Sequence, residues 1–230
     1  REREGALFRP PALTESEGRQ AVERAARVDG APLSKARAGA IARALGDDPL
    51  LIGLNRDWDT PDPTAVIGRY VEVSANRTCG GSATRAIALT RAFLRLGREM
   101  MVRRVLTPSW TEVLAWSLDP DVVQSLERLI DAGDLLRLEG AADGPLRFRH
   151  DRVRAWMLAR AALALLEAGE LDDDLVAEPA YAEIIAGLLQ LIPPRSSLIE
   201  RITSLNPLAL FQALGMVGAS SDPSAGIIAA

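Results

Sequence analysis

His150 is the only histidine of the 230-residue chain, and it stands in the run Leu146-Arg147-Phe148-Arg149-His150-Asp151-Arg152-Val153-Arg154. An imidazole among arginines can contact a phosphate or can simply pack, and the backbone around it decides which chemistry is open. Leu146 to Phe148 reads as a short strand. Asp151 suits a helix N-cap for Arg152 to Glu167, where Val153, Trp156, Met157, Leu163 and Leu166 make an apolar face broken by Arg160. His150 then falls one residue outside a helix N-terminus. The first-turn N–H groups there lack helical acceptors, and the dipole presents its positive end, so the place is prepared for an anion. A phosphate ligand is one reading of His150; a solvated or packing histidine that closes a hairpin is the other.

Other chemistry does not assemble. A P-loop needs a glycine loop followed by Lys and Ser or Thr. Lys35 follows Pro32-Leu33-Ser34 without one, and Cys79-Gly80-Gly81-Ser82-Ala83-Thr84 has glycines without a lysine. One cysteine and one histidine cannot make a Cys and His zinc site. A Ser-His-Asp triad through His150 has no nucleophile elbow to support it. Asp172, Asp173 and Asp174 read as a solvated acidic turn. No catalytic residue and no metal ligand is assigned.

The elements that must position His150 begin at Asp119-Pro120, a cap followed by a residue tolerated at the first helical position. Val122, Val123, Leu126, Leu129 and Ile130 recur at helical spacing, and Gly133 suits a left-handed helix end. Leu135 to Leu138 and Leu146 to Phe148 then make a hairpin around Glu139-Gly140-Ala141-Ala142-Asp143-Gly144. Upstream, the spacing predicts helices over Thr64–Ala75, where Tyr70-Val71-Glu72-Val73 also reads as strand, Ala83–Arg98 and Trp110–Leu118, the last opened by a Ser109 to Glu112 capping box, with a break from Asn76 to Ser82. Three helices followed by a hairpin is the order of a winged helix. Before it, Thr14 with Glu17, Ser34, and Asp48-Pro49 open three short helices, Glu15–Val28, one running to Leu45, and Leu50–Leu54. After Gly169, Tyr181–Ile192, Ser197–Ser204 and Pro207–Met216 are apolar helical segments that would bury a face by stacking, as in an α-solenoid.

Two stretches carry a resemblance. Phe148-Arg149-His150-Asp151-Arg152-Val153-Arg154 resembles the histidine-aspartate motif that closes the winged-helix domain of STAND-type P-loop NTPases, the class of NACHT and NB-ARC proteins. Ala44-Leu45-Gly46-Asp47-Asp48-Pro49-Leu50-Leu51 is similar to the glycine and proline turn of the helical lid in that family, and Leu13-Thr14-Glu15-Ser16-Glu17 to the segment entering the lid. Here two aspartates separate the glycine from the proline, where the family has one residue. The resemblance implies that His150 contacts the phosphates of bound ADP or ATP, that Pro49 packs against the adenine, and that magnesium is held by parts outside this chain. By itself, Pro49 also reads as a helix-initiating proline. The implied architecture is mainly α: residues 1–60 a helical lid, 61–169 a winged helix with one short hairpin, and 170–230 the start of a helical repeat or sensor region.

The composition is that of a globular protein, 48% hydrophobic and 25% charged, with a net charge of −4 that gives the whole molecule no general attraction to nucleic acid. Among 27 basic residues only Lys35 is lysine, so lone arginines carry little meaning. The helix that would enter a DNA groove, Asp121 to Ala132, sets Asp121, Glu127 and Asp131 against Arg128, which phosphate would repel. Arg147, Arg149, Arg152 and Arg154 leave a backbone contact through the hairpin open. A lone Cys79 and no apolar run of bilayer length make the expectation a cytoplasmic protein without membrane contact. The chain starts without Met, at Arg1, and reads as a piece of a longer switch. The expected partners are its own preceding nucleotide domain, proteins at the repeats, and further copies on activation. A winged-helix DNA-binding regulator and a helical protein-interaction scaffold are the alternatives.

Overall fold

The computed structural model describes residues 13–59, 61–140, 143–193 and 196–219. Ala141 and Ala142 of the expected hairpin turn and the last residues of the expected repeat region, from 220 on, lie outside them. The described chain is mainly helical, with one two-stranded antiparallel sheet. It divides into two compact units, one ending at Val66 and the other running from Ile67 to Gly218.

The first unit holds α1 (Glu15–Val28), α2 (Lys35–Ala44) and α3 (Pro49–Leu54). Each starts on a side-chain oxygen: Thr14, in a capping box with Glu17, then Ser34, then Asp48. Val22, Ala26, Ala38, Ile41, Leu45 and Ile52 form its core. Gly18 leaves room for the turn that follows α2, since an added Cβ would collide with the Asp47 carboxylate unless that side chain moved. Trp58 is buried beside them and donates its indole N–H to Asp29 at 3.2 Å.

α4 (Pro63–Thr78) crosses into the second unit, which continues with α5 (Ala83–Val102), α6 (Trp110–Ala115) and α7 (Pro120–Ala132). Strands β1 (Leu136–Leu138) and β2 (Leu146–Phe148) follow, then α8 (Asp151–Glu167), α9 (Asp173–Ala177), α10 (Ala182–Leu189), α11 (Ser196–Leu205) and α12 (Pro207–Ala219). α5 is the platform, with α7 and α8 packed on it. Leu89, Phe93, Leu96 and Met100 recur along its buried face at helical spacing, and Phe93 sets its ring edge-on to Phe148 of β2 at 6.0 Å. Gly97 allows α8 to come close, since a Cβ there would stand 3.0 Å from Met157 Cγ.

β1 and β2 pair Leu136 with Phe148, Arg137 with Arg147 and Leu138 with Leu146. An isolated bridge from Ser109 to Pro145, with Leu146 N–H donating to Pro108 O at 2.8 Å, ties the start of α6 to the same hairpin.

Several boundaries differ from the sequence expectation. α4 runs through Asn76 to Thr78, where a break was expected. α5 continues past Arg98 to Val102, because Glu99 turns inward and is held by Arg95 at 2.9 Å and Arg103 at 3.2 Å. α6 ends at Ala115, before the left-handed Ser117, and does not reach Leu118. Asp172 is no mere turn residue: it caps α9 by accepting from Leu175 N at 2.6 Å.

Candidate functional site

β2 delivers the chain to α8, whose N-cap is His150 itself, with extended backbone (φ −140°, ψ 137°). Asp151 is the first helical residue, one position later than its expected role as cap. The reason is local: His150 O accepts from Val153 N at 3.0 Å and Arg154 N at 3.3 Å, so the helix closes on the histidine carbonyl. The imidazole makes no capping hydrogen bond. Ahead of Val153, the N–H groups of Asp151 and Arg152 have no acceptor within the helix, and both residues are exposed.

His150 is half-buried, and its ring lies against Tyr70 of α4, centroids 6.0 Å apart and planes tilted by 58°. The Tyr70 hydroxyl donates to Asp134 O at 2.9 Å. Burial holds that hydroxyl above its ordinary pKa. The nearby Ser74 hydroxyl opposes the shift, the Asp134 carboxylate adds to it, and Arg149 and Arg77 pull it back. Tyr70 is therefore a neutral donor across the physiological range. Arg77, two turns along α4, pairs with the Asp134 carboxylate at 3.6 Å. Leu135 O accepts from Arg149 N at 2.9 Å, which links the entrance of β1 to the exit of β2. Arg149 and Arg152 flank the α8 start in sequence, and the Arg77–Asp134 pair lies by Tyr70.

Tyr70 stands eighty positions from His150, too far for local spacing to join them. Its only signal was its i, i+4, i+7 spacing with Ser74 and Arg77 on a helix whose Tyr70-Val71-Glu72-Val73 core also read as strand.

Pro49 is exposed at the first position of α3. The Asp48 carboxylate caps that helix, accepting from Leu50 N at 2.8 Å and Leu51 N at 3.3 Å. Gly46 and Asp47 precede it in left-handed conformations, φ 66° and 50°, and the tight turn spans both residues. Pro49 and His150 belong to different compact units.

An open groove of about 580 Å³ between α5 and α7 includes neither residue. Its charged groups are mostly engaged: Arg95 and Arg103 hold Glu99, Arg103 stacks over Trp116 at 5.4 Å, and Asp119 caps α7. Among the described residues no three His, Cys, Asp or Glu side chains gather as metal ligands, and no helix is long and apolar enough to cross a membrane. No protein-family profile, curated protein or solved structure matches this chain.

Proposed function

We propose that this chain is the helical-lid, winged-helix and first sensor-repeat portion of a STAND-type P-loop NTPase, a nucleotide-dependent signalling switch in which His150 contacts the phosphates of bound ADP or ATP. The observation that carries the reading is the start of α8: a histidine at the N-cap whose ring caps nothing, in front of a seventeen-residue helix and beside Arg149 and Arg152. The dipole and first-turn N–H groups favour an anion there, and an imidazole at the mouth adds a directional contact worth about 1.5 to 3 kcal/mol when charge-assisted. The order of α5, α6, α7, β1 and β2, with the Ser109 to Pro145 bridge as a rudimentary extra strand, supports the winged-helix part. The exposed Pro49 turn supports the lid.

A phosphate contact that exists only in the closed arrangement biases the population toward it, so exchange or loss of nucleotide releases an open, oligomerising form. The P-loop and the magnesium site belong to the preceding part of the switch, and this portion hydrolyses nothing alone. Replacing His150→Ala in the full-length protein tests the reading. Faster ADP loss and easier activation are expected; unchanged ADP retention with unchanged activation would contradict it.

One observation favours a second reading, a winged-helix contact with a nucleic-acid backbone. Arg137 and Arg147 face each other directly across the hairpin, both exposed, with Arg149 next on the same face. Like charges so placed repel unless an anion lies between them. Glu139 engages Arg147 at 2.7 Å, and the acidic α7 remains unsuited to a DNA groove. Salt-dependent binding of duplex DNA that is lost in Arg137→Glu would favour this second reading over the first.

A further inference from the structure

We infer that Tyr70 is a positioning residue of the α8 mouth, holding the His150 imidazole where it can meet a ligand. The inference rests on the phosphate reading only for what the imidazole does once placed.

Two tethers converge on one ring. The first runs through the backbone: the Tyr70 hydroxyl binds Asp134 O at 2.9 Å, and the next carbonyl, Leu135 O, binds the N–H of Arg149, the residue before His150. The second is direct, the 6.0 Å contact between the phenol and imidazole rings. Arg77 strengthens the first tether by pairing with the Asp134 carboxylate, so α4 grips that residue at both its carbonyl and its side chain. A histidine at an extended N-cap has several staggered rotamers open to it. A Tyr70 ring anchored at its hydroxyl lies against one position of the imidazole. The ring contact is what orients His150, and the hydroxyl bond steadies the ring that makes it.

Because His150 is the sole histidine, its two ring C–H signals in a ¹H–¹³C NMR spectrum identify themselves. In Tyr70→Leu these signals should move toward the position of an unstructured histidine, while the amide signals of α5 and α7 stay in place. Tyr70→Phe, which keeps the ring and loses the hydroxyl bond, should restore most of the wild-type shift. On titration of the full-length protein, isotope-labelled over this segment, with ADP the imidazole should respond in the wild type and in Tyr70→Phe. In Tyr70→Leu the apparent affinity should be about three- to tenfold weaker, the scale of one lost aromatic contact. Wild-type imidazole signals in Tyr70→Leu would overturn the inference, as would a Tyr70→Phe spectrum displaced as far as that of Tyr70→Leu. An imidazole that ADP never moves but that Tyr70→Leu displaces would sink the phosphate reading and leave the positioning role standing.

Discussion

α7 and α8 both pack on α5 and both begin where extended chain turns into helix, yet their opening residues behave differently. Asp119 closes its own helix: its carboxylate accepts from Asp121 N at 2.8 Å, and Pro120 removes a further orphan donor. At α6 the closure is reciprocal, with Glu112 N bonded to Ser109 Oγ at 3.2 Å and Ser109 N bonded to Glu112 at 2.7 Å. His150 occupies the same extended region of backbone space and gives α8 no such bond. About 1 kcal/mol of available cap stability is thus left unused at α8. A missing cap alone does not mark a site, since Ser82 at the start of α5 makes no side-chain bond either. What sets α8 apart is the ring held at its mouth, with Arg149 and Arg152 flanking it in sequence.

The hardest test of the shared platform is Phe93→Ala. Phe93 is fully buried on α5 with its ring edge on Phe148, so truncation should cost about 3 to 5 kcal/mol in urea unfolding and should displace the His150 signals together with the hairpin. A loss below about 1 kcal/mol would show that the α8 start does not depend on α5.

The contrast between the two helix starts is sharpened by paired substitutions. Asp119→Ala should lower stability by about 1 kcal/mol. His150→Ser installs a cap worth about as much but removes an aromatic contact of about 0.5 to 1.5 kcal/mol, so its net effect should stay within about 0.5 kcal/mol of zero. A full gain of about 1 kcal/mol from the serine would mean that the Tyr70 contact contributes nothing.

The smallest effect concerns acid. Bonds from the Ser109 N–H and hydroxyl hold the Glu112 carboxyl below its ordinary value of 4.5. Its folded pKa lies below its unfolded one, so its contribution is fully present above 4.5 and is lost as pH falls through the folded value. Glu112→Gln should flatten this part of the acid limb in a stability-versus-pH series. α8 carries Val153 at the equivalent third position and has no counterpart. An acid limb identical in Glu112→Gln and wild type would remove the carboxylate from the account of the α6 start.

Local chemistry was the legible part of the chain. Thr14 with Glu17, Ser34, Asp48-Pro49, Ser109 with Glu112, and Asp119-Pro120 each announce a helix start, and Gly133 ends α7 in the left-handed conformation its position suggested, φ 69°. Such signals act over three or four residues, so they can be read without knowing the fold. What sequence missed depends on contacts between distant segments. Glu99 reads as a polar end to α5 until Arg95 and Arg103 are seen to satisfy it. The Ser109 to Pro145 bridge spans the length of the second unit's hairpin module, and Tyr70 reaches His150 only through the packed α4. The position of His150 was legible to within one residue, whereas the neighbours that orient it were not.

Whether the mouth of α8 receives a phosphate is measured most directly by titrating the full-length protein, isotope-labelled over this segment, with ADP and, separately, with adenosine, following the His150 imidazole and the amides of Asp151 and Arg152. The account predicts saturable shifts at all three residues with ADP and none with adenosine. Equal responses to both ligands, or silence with ADP, would contradict it.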